Sequence, residues 1–375
     1  MQIKTKDFKE VVDKILFAAD LDKTAANLEI LAKGNSLYLT VTNRAEYYVS
    51  VKFNLEQETE FRAVVDAALF LNLISGITTD AFDLTIDKNV VKVKAGKSNY
   101  KLAMIYDNDK LMTLPVIAIG NKTVEMPISN DILKSILNVN SKELLKVKNI
   151  DVSELQRLYY IDETGCFTFT TGACLNSFTL EKPVKMLLTD RIVKLFKLFD
   201  EDVLFSFGYD ALPNSMIQTK ATFETANIYV AAILPVRDDL LAQVVGPCSA
   251  TKNYINTTYT NHLVLSVSAL NAAVSRLMLF AKNSVEKANM LRVPATVVLS
   301  ANELSMTDTL GNTEVVAVEN ESYVEDGYTM IINLADLKLV LDSCKEDHIT
   351  VNCGNHRSVI ISRGTISNLI PEGSK

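Results

Sequence analysis

The run Val184-Lys185-Met186-Leu187-Leu188-Thr189, followed by Asp190-Arg191-Ile192-Val193-Lys194-Leu195-Phe196-Lys197-Leu198-Phe199, decides the fold. A short apolar strand ends on Thr189, whose hydroxyl can accept from the free N–H groups that open a helix. After it Ile192, Leu195, Phe196 and Phe199 recur at helical spacing, so one face is built for burial and the other is left to solvent. This strand–cap–helix opening occurs six times. Residues 1–5 lead into 6–19, 61–66 into 67–77, and 124–129 into 130–139. Residues 184–189 lead into 190–199, 262–266 or 262–268 into 269–283, and 328–333 into 334–345. Each helix has a Ser, Thr, Asp or Asn placed to cap it.

Period-two runs follow the helices, as in Asp83-Leu84-Thr85-Ile86-Asp87 and His348-Ile349-Thr350-Val351-Asn352, separated by turn signals such as Asp87-Lys88-Asn89 and Cys353-Gly354-Asn355. The repeat is therefore strand, helix, then three strands. Corresponding helices stand about 125 to 145 residues apart, so two modules make a domain and three domains make the chain. The expected domains are residues 1–122, 123–250 and 251–375. The stretch 236–258, with Gly246-Pro247, reads as a long linker or partly ordered insertion. Repeated βαβββ units predict an α+β architecture, with antiparallel sheets outside and the helices segregated to one face.

Composition fits this picture. The 375 residues suit two or three domains, and 48% hydrophobic with 22% charged residues is ordinary for a globular protein. The N-terminus shows no signal-peptide core and no apolar run is long enough to span a bilayer, so a cytoplasmic location is expected. Cys166, Cys174, Cys248, Cys344 and Cys353 form an odd set without CxxC spacing and read as reduced thiols. A net charge of −7 argues against a protein that coats DNA over its whole surface, but permits one that meets it on a single basic face.

Layout and length together resemble the β subunit of bacterial DNA polymerase III, the sliding clamp. Local matches are Leu71-Asn72-Leu73-Ile74-Ser75-Gly76-Ile77, Gly96-Lys97-Ser98-Asn99-Tyr100-Lys101-Leu102, Arg157-Leu158-Tyr159-Tyr160, Thr170-Thr171-Gly172-Ala173-Cys174-Leu175 and Leu369-Ile370-Pro371. Their order and spacing carry the resemblance. It implies a head-to-tail homodimer whose helices line a ring lumen around double-stranded DNA. The ring would tether a DNA polymerase, the clamp loader and other proteins bearing a clamp-binding motif.

Sliding requires phosphate attraction without base readout. Arg191, Lys194 and Lys197 lie opposite the apolar stripe of their helix, and Lys9, Lys14, Lys134, Arg276, Lys282 and Lys338 add to the set; Asp13 and Asp342 dilute it. The resemblance adds Lys23 and Tyr159 beside the duplex. It also implies a peptide pocket from Ile161, Thr170, Gly172, Leu175, Ile233, Leu369, Ile370 and Pro371. Where the family often has His-Arg after the glycine, this chain has Ala173-Cys174, and Glu372-Gly373-Ser374-Lys375 replaces the family's basic ending. Set against the resemblance, an altered polar rim, and hence an altered peptide specificity, is expected.

For the dimer the resemblance implies that Tyr100 and Leu102 meet Leu279 and Phe280. The edge strand 96–105 would pair with a strand within 303–319, and Lys97 and Lys101 would face Asp308, Glu314 or Glu319. No catalytic residue, metal or cofactor is expected. The histidines His262, His348 and His356 have no metal spacing, and GxSxG, P-loop and HExxH motifs do not occur. The rival reading is a non-catalytic repeat scaffold that binds protein peptides without DNA.

Overall fold

The computed structural model describes residues 1–139, 158–170, 172–211, 217–235, 238–284, 293–319, 322–355 and 357–373. All six modules form. The first is β1 (Gln2–Lys4), α1 (Thr5–Asp20), β2 (Asn27–Lys33), β3 (Ser36–Thr42) and β4 (Tyr47–Asn54). The second is β5 (Phe61–Asp66), α2 (Ala67–Gly76), β6 (Ala81–Asp87), β7 (Val90–Ala95) and β8 (Ser98–Ala103), followed by a small hairpin, β9 (Tyr106–Asp107) and β10 (Lys110–Leu111). The third is β11 (Asn121–Ile128), α3 (Asn130–Asn138), β12 (Leu158–Asp162), β13 (Gly165–Phe169) and β14 (Ala173–Ser177). The fourth is β15 (Lys185–Thr189), α4 (Asp190–Leu195), β16 (Val203–Ala211), β17 (Ile217–Glu224) and β18 (Ile228–Ile233).

A helix outside the repeat, α5 (Asp238–Ile255), comes next. The fifth module is β19 (Asn261–Ser266), α6 (Val267–Ser284), β20 (Pro294–Leu299), β21 (Glu303–Asp308) and β22 (Thr313–Ala317). The sixth is β23 (Thr329–Asn333), α7 (Leu334–Ser343), β24 (His348–Cys353), β25 (Ser358–Arg363) and β26 (Ile366–Pro371).

The caps mostly act as the sequence requires. Asp66 accepts from Leu69 N, Thr189 from Ile192 N and Asn333 from Ala335 N. At α1 the expectation fails: the cap position is Lys4, and the Thr5 hydroxyl is buried without a partner. Helix α4 is also shorter than expected, tightening into a 3-10 turn at Phe196–Leu198.

The chain forms two compact units, residues 1–133 with 189–236 and residues 134–188 with 237–375. In the first, an eight-stranded antiparallel sheet runs β11-β16-β17-β18-β4-β3-β2-β5, and a four-stranded sheet runs β1-β6-β7-β8. The join is β18 to β4, for example Ala231 opposite Tyr48. Phe8 of α1 fixes this core, meeting Phe53 at 5.1 Å and Phe82 at 5.7 Å between ring centroids. The second unit holds the sheet β15-β12-β13-β14-β26-β25-β24-β19 and the sheet β22-β21-β20-β23. Its core sets α6 residues Leu270, Val274 and Leu277 and α7 residues Leu337 and Leu341 against Val297, Met306, Ile349, Val351, Ile361 and Ile370.

Helix α5 corrects the linker expectation. Gly246-Pro247 reads as a break, yet both sit within the helix. Leu240, Val244, Cys248 and Thr251 recur at helical spacing and are all buried. The stripe outweighs the single backbone hydrogen bond that proline forfeits. All five cysteines are unbridged; four are buried and Cys344 is half-buried.

Candidate DNA face, peptide groove and strand edges

The basic residues sort themselves by their partners. In the first unit, Arg191 Nη1 lies 2.9 Å from both Asp22 Oδ2 and Glu46 Oε2, and Thr189 also donates to Glu46. The Asp22 carboxyl is held below its ordinary value, first by the Thr24 N–H and also by Asn43 and Arg191. Lys194 is paired with Asp190, while Lys14 sits 3.3 Å from Asp200 and 3.5 Å from Glu10. Lys23 is exposed on the loop after α1, and Lys197 stands over the Phe17 ring at 5.8 Å.

In the second unit, Arg276 forms a two-pronged pair with Glu314 of β22 at 2.7 and 2.6 Å. Lys338 donates to Asn271 Oδ1 at 2.7 Å and is paired with Asp342. Lys134 is exposed, and the Lys282 side chain lies outside the described residues. Arg191, Lys194, Arg276 and Lys338 are thus anchored by acids of their own unit. Spacing along one helix cannot reveal partners such as Asp22 and Glu46.

Tyr159 corrects another expectation. It is 1% exposed and its hydroxyl donates to the Val139 carbonyl at 3.4 Å, so its ring is core and does not reach a surface ligand.

The groove residues divide by strand alternation. Register sets Ile161 opposite Cys166 and Cys166 opposite Asn176, in one row across β12, β13 and β14. Asn176 donates to Ser135 of α3 at 2.8 Å, so this row faces that helix. The alternate row, Tyr160, Phe167 and Leu175, faces away from it. A slip of one residue moves a side chain to the other face. Ile161 is therefore core on the α3 side, and Tyr160 takes its place beside Leu175. Ile370 is likewise core, packed with Val359 and Ile361, while its neighbour Leu369 joins Leu175.

Thr170 and Gly172 close the β13–β14 turn, Gly172 N donating to Thr170 Oγ1 at 3.1 Å. A Cβ at Gly172 would collide with the Leu369 carbonyl, so glycine is what lets β14 approach β26. Pro371 is exposed at the end of β26. Ile233 lies on β18 of the first unit, half-buried.

The outward row is covered. Leu158, Tyr160, Phe167, Ala173, Leu175 and Leu187 form one cluster with Leu240, Val244 and Cys248 of α5, and Phe169, Leu241, Val245, Ile255 and Leu369 pack around it. This explains why all of β12 is buried: α3 takes one face and α5 the other. Burial pushes the Cys248 thiol up to about 11. Lys252 of α5 donates to Asp162 Oδ2 and to Thr164 Oγ1, each at 2.6 Å.

Two edge strands, β8 and β22, stand beside exposed apolar side chains. On β8, Tyr100 is 41% exposed, and Leu69 and Leu73 of α2 join Tyr100, Leu102 and Ile105 around a hollow of about 660 Å³. Leu102 is already 9% exposed within its own unit. Leu69 and Leu73 were absent from the sequence expectation, although Leu69 breaks the buried stripe of α2 and so marks a free apolar face. In the second unit β22 pairs on one side only, with β21, and Val315 on it is 52% exposed. Leu279 and Phe280 of α6 are 59% and 47% exposed. Of the expected acidic partners, Asp308 is buried and takes the N–H groups of Leu310 and Asn312, Glu314 is held by Arg276, and Glu319 sits 3.8 Å from His348. Asp308 is thereby removed from any surface pairing.

Six βαβββ modules with these two edge strands define the DNA-clamp fold. It is the fold of the β subunit of bacterial DNA polymerase III. The beta subunit from DNA polymerase of Streptococcus pyogenes matches 100% of this chain, with 99% of its own covered, at a TM-score of 0.74 and 14% identity. The DNA polymerase sliding clamp from Bacillus subtilis matches 100% of this chain and 98% of its own at 0.73 and 14% identity. The Helicobacter pylori β clamp, solved bound to a DNA ligase peptide, matches 100% and 99% at 0.68 and 16% identity.

In sequence, the chain is 24% identical over 151 residues to the beta sliding clamp of Mycoplasmopsis pulmonis (strain UAB CTIP). That match covers 39% of this chain and 37% of the relative. No family model matches. The chain thus has the sliding-clamp fold at a divergent sequence. Among the described residues, no helix is long and apolar enough to cross a membrane.

Proposed function

We propose that the chain is a non-catalytic sliding clamp: a cytoplasmic head-to-tail dimer that encircles duplex DNA and tethers a polymerase and other partners. The observation that carries this reading is the full-length agreement of fold with bacterial clamps. On this reading the expected domains 1–122, 123–250 and 251–375 each hold one pair of modules, with the boundary at 250 falling inside α5. Lys23 and Lys197 are the foremost phosphate contacts, since among the described residues no acid pairs with them. Arg191, Lys194, Arg276 and Lys338 contribute to the field at reduced strength because acids already hold them.

Edge strand β8 with Leu69, Leu73 and Tyr100 would meet edge strand β22 with Leu279, Phe280 and Val315 of a second copy. Such pairing satisfies two rows of open backbone groups and buries exposed apolar side chains. Leu175, Leu369, Thr170, Gly172 and Pro371, with Tyr160, supply a peptide groove. The Helicobacter pylori clamp bound to a ligase peptide supports such a role.

Native mass with a low-resolution solution shape tests the class, together with retention on closed circular DNA against release from linear DNA. A hollow dimer that slips off linear ends is expected. A compact monomer that dissociates equally from both would overturn the proposal. The ion-paired helix faces favour one alternative, a peptide-binding scaffold without DNA, which would show no salt-dependent DNA retention.

A further inference from the structure

We propose that helix α5 is a built-in occupant of the groove, docked on the β12–β14 and β26 face and displaced when a partner peptide binds; this rests on the groove reading above. Three observations carry it. First, the apolar row that would receive a peptide is already filled, with Leu240, Val244 and Cys248 packed against Tyr160, Phe167 and Leu175. An extended peptide with apolar anchors and this helix need the same surface, so they exclude each other. Second, the helix is fastened by a polar latch at one end, where Lys252 reaches Asp162 and Thr164 on the β12–β13 turn. Third, the helix carries its own weak point. Pro247 supplies no N–H to the preceding turn and follows Gly246, so the helical ladder is interrupted midway.

The weak point separates the Leu240–Val245 half, held by apolar contact, from the half bearing Cys248, Lys252 and Ile255. The half without the latch is the one that can lift first, because bending is cheapest where the ladder is broken. A ligand that binds only the uncovered groove is weakened by the fraction of chains in which the groove is covered. Loosening the helix should therefore tighten peptide binding, which is the opposite of what damage to a binding site does.

The test uses the full chain and a fluorescein-labelled extended pentapeptide with leucine and phenylalanine anchors, followed by polarisation. Val244→Ser weakens the apolar half, and Lys252→Ala opens the latch without touching the groove floor. Each is expected to bind the peptide about fivefold more tightly than the parent chain. Amide exchange across 238–255 of the parent should accelerate at saturating peptide. Leu175→Asp should abolish binding in every background. If the parent and both variants bind with one affinity and exchange in 238–255 is unchanged, α5 is not an occupant, and the groove reading stands. If neither the parent nor either folded variant binds the peptide, the groove reading falls and the proposal with it.

Discussion

The guanidinium of Arg191 donates to Glu46 Oε2 at 2.9 Å, tying the first turn of α4 to the loop between β3 and β4. Asp22 completes the set at the same distance. A side chain placed by helical spacing to meet phosphate is thus engaged as a structural tie. Arg191→Ala should leave the salt slope of DNA retention nearly unchanged. Since Arg191 is about half exposed, its loss should cost only about 0.5 to 1 kcal/mol of stability after screening. The double variant Lys23→Ala/Lys197→Ala should do the reverse, lowering the slope by one to two units, roughly, per chain with little change in thermal midpoint. Titration of DNA retention against salt checks both.

Leu69 is 66% exposed and Phe280 47%, whereas Leu102 is 9% exposed. Leu69→Asp and Phe280→Asp should each give a folded monomer by sedimentation. Leu102→Asp places a charge against the core of its own unit and should also lower its stability, by several kcal/mol in principle, with a lower thermal midpoint. If Leu69→Asp remains a dimer at micromolar concentration, β8 and α2 do not form the contact.

The modules were legible because each level of the sequence agrees: apolar period, cap residues and turn signals all change at the same places. What was not legible has particular causes. Helix α5 is obscured by Gly246-Pro247, although Leu240, Val244 and Cys248 have helical spacing; two adjacent local breakers mask the stripe. Tyr160 and Ile161 were exchanged because a buried run such as 158–162 has no polar alternation to mark its faces, and only the partner strands assign them. The Arg191 triad joins residues 145 and more positions apart, which no local pattern encodes.

The assignment of faces makes Ile161 and Leu175 separable. Ile161→Ala removes buried core on the α3 side and Ile370→Ala removes core packed with α6 and α7, and each should cost about 2 to 4 kcal/mol by chemical denaturation. Below their midpoints both variants should bind the anchored peptide as the parent does. Leu369→Ala, on the groove row and only partly buried, should weaken peptide binding at a smaller cost in stability. If Ile161→Ala weakens binding selectively while stability is retained, the strand register inferred for the groove is wrong.

Acid should release the latch on α5. Burial raises the Asp162 value, but the Lys252 and Thr164 hydrogen bonds outweigh it and hold the carboxyl below its ordinary 3.8. Asp22 is depressed as well, chiefly by the Thr24 N–H. A carboxyl depressed in the folded state stabilises fully above the unfolded value, where both states are ionised. The contribution is lost as pH falls from 3.8 toward the folded value, because the unfolded chain takes up the proton first. The thermal midpoint should therefore decline below about pH 4, and amide exchange across 238–255 should quicken in the same window relative to β24–β26. Asp162→Asn cannot titrate: its α5 exchange should already be fast at pH 7 and should change little on acidification. An Asp162→Asn protein whose α5 exchange still rises steeply below pH 4 would show that some other group fastens the helix.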